Sequence, residues 1–397
     1  MEQLSARINS LSPSATIAMN QKGRELKDKG VDVINLSVGE PDFMTPEHIR
    51  EAAKKAIDGP WHHYAPVAGY PDLLKAIVEK FKKENNLEYK PSNIMVSVGA
   101  KHSLANVMIC LIDKGDEVIV PAPYWVSYAE QVKIAEGVNV VLDTTVEDEF
   151  KISAQQLEDA ITPKTKALLL CSPSNPTGSV YSREELKALA DVLARHPHVF
   201  VIADEIYEHI NFVGGHESIA QFEEIKDRCI IVNGVSKGYA MTGWRIGYMA
   251  GPDWLVKACG KLQGQMTSGA TSIAMRAALE ALTGDQSCVT EMRDAFLRRR
   301  DLILGHINEI EGVKCPTPGG AFYVFPDFSA YIGKSVDGRK IETDMDLCIY
   351  LLELGHIATV PGSAFGMDGC VRISYANSDE NLEKAMQRLK KALAALS

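Results

Sequence analysis

Seven short apolar runs punctuate the chain between about residues 90 and 250: Ile94–Val98, Glu117–Val120, Val138–Leu142, Ala167–Cys171, Val199–Ala203, Ile230–Asn233 and Ile246–Ala250. Amphipathic stretches alternate with them, among them Ser103–Ile112, Tyr128–Ala135, Ala154–Ile161 and Arg183–Arg195. Strands of four to six residues alternating with helices predict βαβ units and a mostly parallel seven-stranded sheet, an α/β fold. Ligands on such a sheet bind at the carboxyl ends of the strands. The chemically distinctive residues of this chain fall there.

At 397 residues the chain exceeds one typical core, so two domains are expected. The sheet region fits a large domain over 46–290. A charged amphipathic helix near Cys288–Glu309 reads as a connector, with its Arg298-Arg299-Arg300 run as a solvated face. Beyond it, Ala321–Phe325, Ile357–Val360, Val371–Tyr375 and helices near Asp344–Leu354 and Asn381–Leu393 form a smaller α+β domain over 291–397. Residues 1–45 show little regular pattern and are expected to pack on that domain. A net charge of −10 argues against nucleic acid and anionic membrane as partners. No run of about 18 apolar residues is present, so no membrane span is expected, and the segment Met1–Arg7 lacks the apolar run of a signal peptide. Eight cysteines without a C-x-x-C pair read as buried free thiols of a cytoplasmic protein.

The turns after the strands carry the chemistry. Gly99-Ala100-Lys101 opens a helix, where small residues and free N–H groups suit an anion such as phosphate; an ordinary βα turn would look similar. Pro123-Tyr124-Trp125 presents aromatics that would stack on a flat ring or fill the core. Ser174-Asn175-Pro176-Thr177-Gly178 is a stiff loop that aims an amide from a strand end. Asp204 ends an apolar strand, where a carboxylate needs a cationic partner or else serves as a helix N-cap. Tyr207 follows within reach of the same partner. Ser236-Lys237 precedes Gly243-Trp244-Arg245-Ile246-Gly247. Lysine condenses with carbonyls and arginine holds phosphate, and pyridoxal 5′-phosphate carries both groups. Arg372 sits in an apolar strand, suited to a bidentate carboxylate or an internal salt bridge. No G-x-G-x-x-G follows a strand, which disfavours a dinucleotide enzyme.

Taken together with Gly39-Glu40-Pro41-Asp42, Tyr64-Ala65-Pro66, Pro318-Gly319-Gly320-Ala321-Phe322 and Val360-Pro361-Gly362, these motifs resemble the class I aminotransferases of fold type I. The resemblance runs from near residue 10 to the C-terminus. Pro13-Ser14-Ala15-Thr16, Tyr124–Tyr128 and Ala240–Arg245 are similar to bacterial aspartate aminotransferases. The resemblance implies transfer of the amino group of L-aspartate to 2-oxoglutarate by a ping-pong route through pyridoxamine phosphate. It assigns Lys237 to the cofactor aldehyde and to the Cα proton, and Asp204 to the ring nitrogen. Asn175 and Tyr207 would bind the ring oxygen, and Trp125 would stack on the ring. Gly99, Ala100, Lys101, Ser236 and Arg245 would surround the phosphate, with Tyr64 reaching it from the other subunit of a homodimer. The α-carboxylate of amino and keto acid substrates would meet Arg372, Gly39, Trp125 and Asn175. Lys101, Ser14 and Thr16 would hold the distal carboxylate. The chain departs from many members in having Gly234 where they carry serine, with Ser236 as the substitute phosphate contact. Aromatic, alanine or prephenate specificity and other pyridoxal phosphate chemistry on the same fold are the rival expectations.

Overall fold

The structure is a computed structural model that describes residues 4–13 and 15–397. Ser14 lies outside the described residues. All seven expected strands form one sheet: β1 (Ile94–Val98), β2 (Glu117–Pro121), β3 (Val138–Leu142), β4 (Thr165–Cys171), β5 (Phe200–Asp204), β6 (Cys229–Gly234) and β7 (Ile246–Ala250). Their spatial order is β1-β7-β6-β5-β4-β2-β3. Every pairing is parallel except the two that β7 makes. That reversal has a local consequence. The start of β7 lies at the carboxyl ends of the other strands, so Val98 pairs with Ile246 and Arg245 arrives beside Gly99.

The sheet is covered on both faces, as a parallel sheet must be. Alternate residues of one strand enter opposite cores. Leu168, Leu170, Val201, Ala203 and Ile231 join one cluster. Ala167, Leu169, Ile202, Ile230 and Val232 join the other. Helices Arg183–Arg195 and Ser127–Ile134 match the expected spans closely. The first starts at a capping box, with Ser182 accepting from the Glu185 amide.

A third cluster gathers Phe296, Ile303, Tyr323, Leu351, Ile373 and Leu389 with Met19, Val33, Ile34 and Leu36 from the N-terminal segment. Ile34–Asn35 pairs in parallel with Ile357–Ala358. Two sequence expectations need correction here. The N-terminal segment is not irregular, since Ala15–Asp28 is a 14-residue helix. Its apolar signal is weak because it packs through small residues: a Cβ on Gly23 would lie 3.3 Å from the Ala358 Cβ. The arginine run on helix Ser287–Ile307 is only in part a solvated face: Arg298 is exposed, but Arg299 is not. Arg299 is 7% exposed and makes paired bonds of 2.8 and 3.1 Å to Asp42, with a third to Asp379. Burial of its charge is compensated by two carboxylates. The eight cysteines are all free, but only Cys229, Cys259, Cys348 and Cys370 are fully buried.

Candidate active site

The carboxyl ends of β1, β2, β4, β5 and β6 open into a cavity of about 310 Å³. It brings together Gly39, Ala100, Lys101, Trp125, Asn175, Asp204, Tyr207, Ser236, Lys237, Arg245, Arg372 and Thr16. Residues drawn from five strand ends, the N-terminal segment and the C-terminal strand Val371–Ser374 thus meet in one place.

Lys237 follows β6 and donates to the Gly39 carbonyl at 2.6 Å. It is partly accessible from the cavity yet lies deep below the outer surface, and that depth governs its proton. Loss of hydration lowers its pKa to about 8. Arg372 and Arg245 push the same way, while Glu40 and Asp204 oppose. A lysine so tuned supplies free amine near neutral pH, as attack on a carbonyl requires.

Asp204 ends β5, is 3% exposed, and has its pKa raised to about 6 by burial. Tyr128 donates to its Oδ2 at 2.6 Å and the Ile206 amide to its Oδ1 at 3.2 Å. The second bond is a turn contact, and no helix begins there for it to cap. The sequence assigns Tyr128 no role; its signal there is a phenol soon after a strand end, which needs a polar partner once buried.

Arg372 is 1% exposed. Its guanidinium lies 4.6 Å from the Tyr323 ring and 5.0 Å from the Phe365 ring. It donates to Asn175 Oδ1 at 2.9 Å and to the Ser37 carbonyl at 2.7 Å, while Nε has no partner. Among the described residues it forms no salt bridge with a carboxylate, so the internal salt bridge is absent. A buried cation held only by neutral groups has capacity for an anion.

Helix Ala100–Leu111 starts at the cavity with Gly99 at φ +81° and no side-chain cap. The approach is close: a Cβ on Gly247 would lie 2.1 Å from the Ala100 nitrogen, and one on Gly99 2.3 Å from an Arg245 nitrogen. Two glycines therefore admit Arg245 beside an open helix N-terminus, an arrangement that suits phosphate. At Gly234 a Cβ would lie 2.9 Å from the Gly247 Cα, which leaves no room for serine without movement. Ser236 lines the cavity instead. Lys101 places its ammonium 4.7 Å from the Trp125 ring. Although Lys101 reaches solvent, desolvation and then Arg245 hold its pKa below the ordinary lysine value. Tyr64 is not in the cavity. It is 96% exposed and borders a separate hollow with His62, His63 and residues 267–272.

The residues fit pyridoxal 5′-phosphate in each of its parts. An amine of lowered pKa suits the aldehyde, a buried carboxylate suits the protonated ring nitrogen, and the helix start with Arg245 suits the phosphate.

The family model for aminotransferase class I and II matches residues 31–389. The chain is 49% identical, over 100% of both sequences, to a Rhizobium leguminosarum bv. phaseoli protein named probable aspartate/prephenate aminotransferase. It superposes on the crystal structure of the aspartate aminotransferase from Rhizobium meliloti with a TM-score of 0.97, at 45% identity and 100% coverage of each chain. On the Thermus thermophilus aspartate aminotransferase with maleate the TM-score is 0.93, at 43% identity, covering 99% of this chain and 100% of that one. Matched over that span, and alike end to end with these relatives, the chain belongs to the class I and II aminotransferases.

Proposed function

We propose that this enzyme transfers the amino group of L-aspartate to 2-oxoglutarate. The observation that carries the proposal is charge. In a chain of net charge −10, the cavity is lined by Lys101, Lys237, Arg245 and Arg372 against the single carboxylate of Asp204. With Lys237 taken up by the cofactor aldehyde, Arg245 would serve one phosphate, and Arg372 and Lys101 the two carboxylates of the substrate. Relatives named aspartate aminotransferase at 46% and 47% identity support the same substrate. A second reading adds prephenate, another dicarboxylate, as amino acceptor; relatives named aspartate/prephenate aminotransferase at 49% identity favour it.

As in its family, the cofactor is pyridoxal 5′-phosphate, which supplies an exchangeable aldehyde and an electron-withdrawing ring. Lys237 carries it and moves the proton at the substrate Cα. Asp204, ionised, holds the ring-nitrogen proton. Tyr207 and Asn175 would hydrogen-bond the ring oxygen, and Trp125 would stack on the ring. Arg245 and the Gly99–Lys101 amides bind phosphate, with Ser236 beside them. Arg372 binds the α-carboxylate, assisted by Asn175 and the Gly39 backbone, and Lys101 with Thr16 receives the distal one. We read Tyr64 as serving the site of the second subunit of a homodimer, a reading its exposure outside the cavity supports. We also read residues 46–290 and 291–397 as the two domains, with 1–45 joined to the second, and the enzyme as cytoplasmic. Eight free cysteines support that location, and no helix among the described residues is long and apolar enough to cross a membrane.

Aspartate added to the purified holoenzyme is expected to convert the cofactor absorbance to the pyridoxamine form, with 2-oxoglutarate reversing it. Conversion by phenylalanine but not by aspartate would defeat the proposal, and reversal by prephenate would support the second reading. Lys101→Gln is expected to lower kcat/KM for aspartate by roughly 10- to 200-fold, the effect of about 1–3 kcal/mol, while alanine turnover changes little. An equal loss for both donors would remove Lys101 from the distal pocket.

A further inference from the structure

We infer that Tyr323 is a positioning residue for this reaction: it fixes the hydroxyl proton of Tyr207 toward the cavity, where the cofactor's ring oxygen would accept it. The inference rests on the cofactor reading above. Tyr323 is fully buried behind the cavity wall that Tyr207 lines. The two hydroxyl oxygens are 2.9 Å apart, so either could be the donor on distance alone. The neighbours settle the direction.

Arg372 has only protons to give, so the Asn175 atom it meets at 2.9 Å must be the carbonyl oxygen. That orientation turns the Asn175 amide nitrogen to the Tyr207 hydroxyl, where it donates over a long 3.5 Å. Tyr207 therefore already accepts one bond. Among the described residues, the Tyr323 hydroxyl has the Tyr207 oxygen as its sole hydrogen-bonding neighbour. A buried hydroxyl proton without an acceptor is costly, so Tyr323 donates to Tyr207. Tyr207 then accepts twice, and its own proton has no protein acceptor left. It is free for the cavity. The Tyr323 ring also lies 4.6 Å from the Arg372 guanidinium, which joins the four side chains into one closed unit. Bonds in such a chain strengthen one another, so a Tyr207 oxygen that accepts from Tyr323 is the better donor.

Donation to the ring oxygen favours the deprotonated form of the bound cofactor, and its weakening raises the pH midpoint of the cofactor's absorbance change. Tyr323→Phe keeps the ring under Arg372 and removes only the hydroxyl. In holoenzyme this midpoint is expected to rise by about 0.5 to 1 pH unit, the equivalent of one net hydrogen bond. Tyr207→Phe should raise it further, and the double variant should match Tyr207→Phe alone. The Michaelis constant for aspartate should change less than kcat. An unshifted midpoint in Tyr323→Phe, where Tyr207→Phe does shift it, would overturn the inference; so would a double variant whose shift is the sum of the two. A purified enzyme that shows no absorbance band of a bound pyridoxal imine would instead overturn the cofactor reading, and the role of Tyr323 with it.

Discussion

Lys237→Ala is expected to lower kcat for aspartate and 2-oxoglutarate by about 10⁴-fold or more. Removal of a general base alone costs about 10²- to 10⁴-fold, and this variant also loses the amine that exchanges with substrate. No other lysine replaces it. Lys101, the other lysine lining the cavity, stands against Trp125 rather than beside Gly39. The expected remnant is a protein that still binds the cofactor through Asp204, Arg245 and the helix start, without covalent attachment. Borohydride treatment followed by mass spectrometry should label the wild type at Lys237 and leave the variant unlabelled. A variant that transaminates within tenfold of wild type, or labels elsewhere in the cavity, would remove Lys237 from its role. The substitution removes a partly exposed side chain at a cavity wall, so the fold should be retained, which thermal unfolding of the cofactor-free protein checks.

The strands, the mostly parallel sheet and the polar residues at its strand ends, such as Asn175 and Asp204, are legible in the sequence because two local signals agree, whereas Gly39 and Thr16 enter only through the family resemblance. Apolar runs of strand length end at residues whose polarity makes no sense in a core, such as Asp204 and Lys237. The rule that ligands gather at carboxyl ends then assembles them. What escapes is pairing across the chain. Asp42 with Arg299 spans 257 positions and Tyr207 with Tyr323 spans 116. Nothing in the local pattern of either partner names the other. Arg299 sits among charged neighbours on a helix and looks solvated until the Gly39–Phe43 segment folds against it. Tyr323 lies inside an apolar strand where an aromatic is ordinary, so its hydroxyl draws no notice. The N-terminal helix escapes for a different reason: it packs through Met19 and Gly23 rather than through a wide apolar stripe, and periodicity detects stripes.

Asp204→Asn is expected to separate function from stability. In the cofactor-free protein Asp204 is a carboxylate that burial disfavours. The rise of its pKa from 3.8 to about 6 corresponds to about 3 kcal/mol against the ionised form at neutral pH. The sign follows from proton binding. Between pH 4 and 6 the folded state binds more protons than the unfolded state, so stability falls as pH rises through that window. Asparagine keeps the shape and can still accept from Tyr128 through its oxygen, at the loss of the longer Ile206 amide bond, but carries no charge to bury. The cofactor-free variant should therefore be as stable as wild type or more stable at pH 7, and its stability should no longer fall between pH 4 and 6 on this group's account. With cofactor the order reverses. The ionised Asp204 gains a cationic partner in the protonated ring nitrogen that asparagine cannot neutralise, and loss of one side of a buried charge pair costs about 2–5 kcal/mol. A fall in kcat of roughly 10²- to 10³-fold is expected, with weaker cofactor retention and a smaller rise in melting temperature on cofactor addition. A variant that lost several degrees of melting temperature without cofactor, yet turned over aspartate normally, would make Asp204 a structural residue. The opposite pattern ties the cost of burying this carboxylate to the reaction it serves.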